Sequence, residues 1–302
     1  MRAEIERAVN LLREGDAASV EQALQLLQNT VFSFSMRVCG QREDAEDTMQ
    51  EVLMKSVPYL PKFDSPKALV VWLYKVAKNR CLMNRRKSKF APEHELSLEE
   101  LMPDGKELEE LSADGRINPE SFAIRGEQAS RLRDAVQKLP PQYRIVLVLR
   151  DMEGLTDDEV AEITGVRAVT VRVRLHRARL FVRRELMRSS MTHSGKPLHT
   201  QRRRSKQVRP ARCKAMFAEL SDYLDERLDD SFCEELERHF EDCAPCRVFL
   251  ASLAATIEQC KTSPADSPDR NKALDLCRQL VSHYQRTMAR SSNGRSMSAP
   301  RE

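Results

Sequence analysis

Aromatic residues are scarce in this chain: 5% of 302 residues, with a single Trp, and Gly occurs only nine times. β-Sheets draw on aromatic and β-branched residues and on Gly-bearing turns, so this shortage argues against a β architecture. Long hydrophobic runs are missing too. The longest apolar stretch, Val248 to Ile257, falls well short of the roughly 20 residues that cross a bilayer as a helix. The N-terminus carries Arg2, Glu4, Glu6 and Arg7; it reads as the start of an amphipathic helix and not as a signal peptide. The eight Cys do not make the framework of a small secreted domain. In a chain of this size, clustered Cys and His point to metal or redox chemistry. The expectation is a soluble, cytoplasmic protein with no membrane span.

What is present in abundance is charge, 32% of residues, in Leu-, Ala-, Glu- and Arg-rich stretches. Those are helix formers, and an all-α fold follows. The length implies two to four modules. The net charge is only +4 but unevenly placed: residues 88–127 hold eleven acids against four bases, and residues 187–212 hold eight bases and no acid. Local fields of this kind decide partners more than the average does.

Apolar spacing of three and four divides the chain. Residues 1–87 read as helices, among them Asp44 to about Val57, closed by Pro58 and Pro61, and a helix from about Pro66 through Trp72, Leu73, Val76 and Ala77. Residues 88–127 form an acidic linker with turn signals at Pro92, Pro103, Asp104-Gly105, Asp114-Gly115 and Pro119 and room for a short helix at Leu98–Met102. Residues 128–186 are helical again, 187–212 a flexible basic linker, 213–260 a compact Cys/His unit, and 261–302 a loop, one helix at about Asp269 to Ala289 and a disordered end.

The clearest local pattern lies at 155–175. Thr156 is a good N-cap with Glu159 three residues on, the two halves of a capping box. Gly165 stands where a turn needs a permissive backbone. A second helix follows, with Val169 and Val173 expected inside and Arg167, Thr170, Arg172, Arg174, Arg177 and Arg179 outside. Seven Arg lie between 167 and 184. A helix-turn-helix that lays this basic second helix in a major groove is the reading that fits.

These motifs carry a resemblance. Leu139-Pro140-Pro141 with Arg144, Leu147 and Leu149, and the closing His176-Arg177-Ala178-Arg179, resemble sigma region 4. Asp44-Ala45-Glu46-Asp47-Thr48-Met49-Gln50-Glu51-Val52 and Trp72-Leu73-Tyr74-Lys75-Val76-Ala77-Lys78-Asn79-Arg80 resemble sigma region 2. Both modules occur in the family's order and spacing, while regions 1.1 and 3 are missing, so the chain resembles the extracytoplasmic-function (ECF) subgroup of sigma-70 factors. The resemblance implies core RNA polymerase and promoter DNA as partners. Asp44, Asp47, Gln50 and Glu51 would dock on the clamp helices of the β′ subunit. Asn79, Arg80, Asn84, Arg85 and Arg86 would meet the −10 element, and region 4 would meet the −35 element. The acidic linker resembles the connector that threads the RNA exit path. Trp72 is expected in the core.

His239-Phe240-Glu241-Asp242-Cys243-Ala244-Pro245-Cys246 is an H-x3-C-x2-C pattern. It presents three ligands to one tetrahedral ion, with Cys213 the best fourth ligand and Cys233 the alternative. Residues 213–239 resemble the zinc-binding anti-sigma fold, so one zinc ion is the expected cofactor. Its role could be autoinhibition, support or sensing. Cys39, Cys81, Cys260 and Cys277 read as core or surface thiols. Two other functions compete: a helix-turn-helix regulator that recruits no polymerase, and an enzyme. Against the enzyme stand the lack of a nucleophile–base arrangement or phosphate-binding Gly loop, and a metal site with no open position.

Overall fold

The computed structural model describes residues 2–63, 65–87, 95–103, 125–193 and 211–292. Among them there is no strand, and no helix is long and apolar enough to cross a membrane. The helices are α1 (Arg2–Glu14), α2 (Ala17–Cys39), α3 (Arg42–Ser56), α4 (Pro66–Lys87), α5 (Leu98–Leu101), α6 (Arg125–Lys138), α7 (Pro141–Leu147), α8 (Asp157–Thr164), α9 (Ala168–His193), α10 (Ala211–Leu224), α11 (Asp230–Asp242), α12 (Ala244–Lys261) and α13 (Arg270–Ser292). A 3-10 turn, Val57–Lys62, follows α3, and a π-turn, Val148–Met152, follows α7. The chain divides into two compact units, one drawn from residues 1–92, 148–171 and 264–302, the other from 93–147 and 172–263.

The first unit is a bundle of α1–α4 joined by α8 and α13. Asp16 caps α2, accepting from Ala18 and Ser19 N–H at 3.0 Å, and Gly40 ends that helix at φ 83°. Ile5, Ala8, Leu24, Leu27, Val31, Phe34, Val52, Leu53, Leu73 and Ala77 form the apolar core. At its centre sits a polar knot. Arg37 Nη1 donates to Glu153 Oε1 at 2.9 Å, Tyr74 OH donates to Glu153 Oε2 at 2.6 Å, and Arg37 Nη2 donates to the Pro264 carbonyl at 3.3 Å. Burial raises Glu153 above the usual carboxylate range against the pull of Arg37, and raises Tyr74 well above its ordinary value.

Cys39 and Cys81 depart from expectation: they are not separate thiols but a disulfide joining α2 to α4, Cα–Cα 5.5 Å. Their separation of 42 residues is invisible to local periodicity. A crosslink over such a loop restricts the unfolded chain by roughly 4 kcal/mol. Cys260 and Cys277 are buried thiols, as expected. The C-terminal helix is a working part of this unit. Leu276, Leu280 and Tyr284 of α13 are buried, Lys272 Nζ reaches Glu46 Oε2 at 2.5 Å, and Gln28 Nε2 donates to the Ala273 carbonyl at 3.2 Å.

The second unit packs α5, α6, α7 and the residues of α9 from Arg172 onward with α10–α12. Its core comprises Leu101, Met102, Leu180, Met216, Phe217, Leu220, Leu236, Phe240, Phe249, Leu253 and Ile257. Arg144 is buried at the end of α6, donating to the Leu139 carbonyl at 2.9 Å, to Gln137 Oε1 at 2.7 Å and to the Gln137 carbonyl. A cation there satisfies carbonyls that a helix end leaves open. α9 continues to His193, so the first seven residues of the expected basic linker are helical. Residues 194–210, and most of the acidic linker, lie outside the described residues.

Arg37→Met leaves Glu153 buried without its cation. Denaturant unfolding at pH 7 should show a loss of about 3–5 kcal/mol. Because the raised carboxylate binds a proton more readily folded than unfolded, the variant's deficit should grow as pH rises through and above the ordinary carboxylate range. Arg37→Met/Glu153→Gln should recover part of it.

Candidate nucleic-acid interface and metal centre

The helix-turn-helix forms as its local chemistry dictates. Thr156 N–H donates to Glu159 Oε2 at 2.9 Å and Glu159 N–H to Thr156 Oγ1 at 3.3 Å, completing the capping box. Gly165 caps α8 at φ 73°, its N–H on the Ala161 carbonyl at 2.8 Å, and α9 begins three residues later. An L side chain at Gly165 would be strained by that φ although nothing crowds the position.

The phase of α9 differs from the expected one. Val171, Leu175, Ala178 and Val182 are its buried line, while Val169 and Val173 are 61% and 45% exposed. Both sets are spaced for one helix face, and tertiary packing chose the other. Arg167 is exposed, and Thr170, Arg172, Arg174 and Arg177 are half-buried. Arg179 was expected outside and is 1% exposed instead. Its guanidinium forms a bidentate pair with Asp225, 3.0 Å to each carboxylate oxygen. Arg183 Nε donates to Ser252 Oγ at 2.6 Å and its guanidinium lies 3.6 Å from the Phe249 ring centre. His176 Nδ1 pairs with Ser221 Oγ at 2.8 Å. Burial, then Arg179 and Arg177, lower His176 to about 4. α10 and α12 are thus locked to the second half of α9 inside this unit.

α10–α12 also hold the Cys/His group. Cys213 lies in the first turn of α10, His239 in the last turn of α11, Cys243 between α11 and α12, and Cys246 in the first turn of α12 behind Pro245. Their ligand atoms all lie within 4.8 Å of one another. Cys213 Sγ and His239 Nε2 are 3.8 Å apart; in a tetrahedral zinc site, bond lengths near 2.0–2.3 Å put ligand atoms about 3.3–3.8 Å apart. Burial raises Cys213 and, more strongly, Cys246. Buried thiols crowded by other thiols ionise readily only beside a cation, and the donor set therefore fits a soft divalent metal. Cys233 is outside the group, its Sγ directed at the Leu228 carbonyl.

In the first unit, Asp47 and Gln50 stand exposed on α3, with Asp44, Glu51 and Met54 half-buried beside them. Glu51 bridges Lys55 Nζ and Arg80 Nε at 2.7 Å each, and the hydrogen bond from Lys55 lowers it. Arg80 therefore faces α3. Asn79 is exposed; the side chains of Asn84, Arg85 and Arg86 lie outside the described residues. Trp72 is half-buried against Phe63, ring centres 5.9 Å apart.

An all-helical protein with a capped helix-turn-helix and a thiol–imidazole cluster is the class that fold and site define. Residues 24–90 match the family described as Sigma-70 region 2, and residues 129–182 the family described as Sigma-70, region 4. The chain is 27% identical over 183 residues to the ECF RNA polymerase sigma factor SigW of Bacillus subtilis, covering 60% of this chain and 96% of the relative. It is 26% identical over 180 residues to the RNA polymerase sigma-H factor of Pseudomonas aeruginosa, covering 58% and 89%. The solved complex of the sigma factor RpoE with the anti-sigma factor NepR from Bartonella quintana aligns at TM-score 0.40 and 23% identity, over 55% of this chain and 95% of that one. Residues 24–90 and 129–182 are thus similar to regions 2 and 4 of the sigma-70 family, and both relatives are sigma factors, SigW one of the ECF branch. The matched residues end at 182, ahead of the cluster.

His176 should make stability pH-dependent. Its folded value of about 4 lies below the ordinary 6.5, so the unfolded chain binds the extra proton. Its contribution is complete above pH 6.5 and is lost as pH falls toward 4, by about 3 kcal/mol in all. Unfolding of wild type and His176→Gln, compared between pH 7.5 and 4.5, should show the variant losing less stability on acidification.

Proposed function

We propose that the chain is an alternative, ECF-type sigma factor that binds core RNA polymerase and directs initiation at specific promoters, and that a zinc-binding, anti-sigma-like module controls it. The work is cytoplasmic and non-enzymatic. α3 offers Asp44, Asp47, Gln50 and Glu51 to the β′ clamp helices. α4 brings Asn79, Arg80, Asn84, Arg85 and Arg86 toward the −10 element. α8 and α9 bring Arg167, Thr170, Arg172, Arg174 and Arg177 to the −35 element. In this reading residues 1–87 are region 2, 88–127 the acidic linker, 128–186 region 4, 187–212 the basic linker, 213–260 the zinc module and 261–302 the tail.

The observation that carries the regulatory part is the attachment of α10–α12 to Arg179, Arg183 and His176 of α9. Cys213, His239, Cys243 and Cys246 would hold the ion, which supplies a four-way crosslink and, with every position filled by protein, no Lewis-acid site for substrate. Residues 213–260 share their apolar core with α5 and α9, and metal binding adds to the folding free energy of that shared core. Metal occupancy is thereby coupled to how α9 is held, and oxidants or chelators that remove the metal change promoter use.

Run-off transcription with core polymerase tests the reading. The full chain should give discrete promoter-dependent transcripts. Asp47→Arg should weaken core binding at least several-fold with helix content unchanged, and unchanged core affinity would remove α3 from the interface. Metal analysis should return one zinc per chain, lost in Cys243→Ser. DNA binding without any transcript would instead support a regulator that recruits no polymerase.

A further inference from the structure

Among the described residues only five large hydrophobic side chains are exposed, and two of them, Val169 and Val173, stand one turn apart on the first half of α9. They sit about 160° around the helix from the buried Val171 and Leu175, at roughly 100° per residue. Neither packing nor propensity accounts for them. Val is a modest helix former, and Ala, Lys or Glu would serve an exposed helical site better. Arg172 and Arg177 flank the pair on the same face, Thr170 lies beside it, and Arg167 immediately precedes the helix. No acid occurs from Ile163 to Arg184. The face is thus an apolar pair in a wholly basic frame, which suits a polyanion whose recognition edge carries methyl groups. In a major groove, the feature that apolar side chains read is the thymine 5-methyl.

We infer that Val169 and Val173 are specificity-determining residues that read thymine methyl groups in the promoter, with the flanking arginines holding the phosphates. The inference rests on the sigma-factor reading and assigns base selection to the two residues that local periodicity places inside. One turn beyond Val173 the same face is closed, since His176 is 8% exposed and bonded to Ser221. The methyl-reading surface therefore ends where α10 begins to cover the helix, and at most two or three successive base pairs come within its reach.

The test uses the full-length chain with core polymerase and duplexes enriched by it from a random pool. Thymines in the enriched upstream element are replaced one at a time by uracil, which removes only the 5-methyl. At one or two adjacent positions uracil should weaken binding about fourfold, the equivalent of one buried methylene. In Val169→Ala and Val173→Ala that thymine-to-uracil penalty should shrink toward onefold. The ratio is internal to each variant, so a change in overall affinity or folding does not mimic it. Binding that is indifferent to uracil at every position, a penalty that survives in both variants, or an enriched element without thymine overturns the inference while leaving the sigma-factor reading intact. A pool that yields no enriched sequence removes the sigma-factor reading itself, and this inference with it.

Discussion

The buried pair of Arg179 and Asp225 is the constraint on which the functional half of the molecule turns. Both side chains are almost wholly withdrawn from water, and Arg179 Nη1 and Nη2 each donate to one carboxylate oxygen of Asp225 at 3.0 Å. Burying two charges is costly, and their attraction offsets that cost only while the geometry holds; Arg227 Nη2 adds a second, longer contact to Asp225 at 3.4 Å. α9 and α10 are therefore committed to one another. Arg183 stacked on Phe249 and His176 bonded to Ser221 extend the same commitment along α9. A basic helix of a kind that ordinarily faces nucleic acid thus gives the stretch from His176 to Arg183 to protein contacts and leaves Val169 and Val173 of its first turns exposed.

The other unit applies a similar rule with a different outcome. Arg37, Glu153 and Tyr74 form a buried knot that gathers α2, α4, the segment before α8 and the chain leading into α13. The C-terminal helix is consequently part of the bundle, and its Lys272 reaches Glu46 on the helix proposed to meet polymerase. A protein cut after residue 186 would lose this helix as well as the cluster, so truncation alone does not separate the two.

Much of this was legible in the residues. The capping box at Thr156 and Glu159 and the permissive Gly165 are local chemistry, and the helix-turn-helix follows from them. The H-x3-C-x2-C spacing draws His239, Cys243 and Cys246 together, and Cys213, which heads the helix packed alongside, joins them within 4.8 Å while Cys233 does not. What was not legible depends on distant partners. Val169 with Val173, and Val171 with Leu175, fit one helix face equally well, and only the packed core distinguishes them. Arg179 looks like a solvated cation until Asp225, 46 residues later, is placed against it. The Cys39–Cys81 bond joins residues 42 apart, and the tail helix earns its place through contacts with α2 and α3 that no local pattern announces.

The central claim is that the cluster and α9 are one thermodynamic device. Hydrogen–deuterium exchange of the full chain, zinc-loaded and after chelation, addresses it most directly. The account predicts that loss of metal raises exchange across 213–260 and, together with it, across residues 177–186 of α9, while α8 keeps its protection. Faster exchange confined to the cluster helices, with 177–186 unchanged, would contradict it.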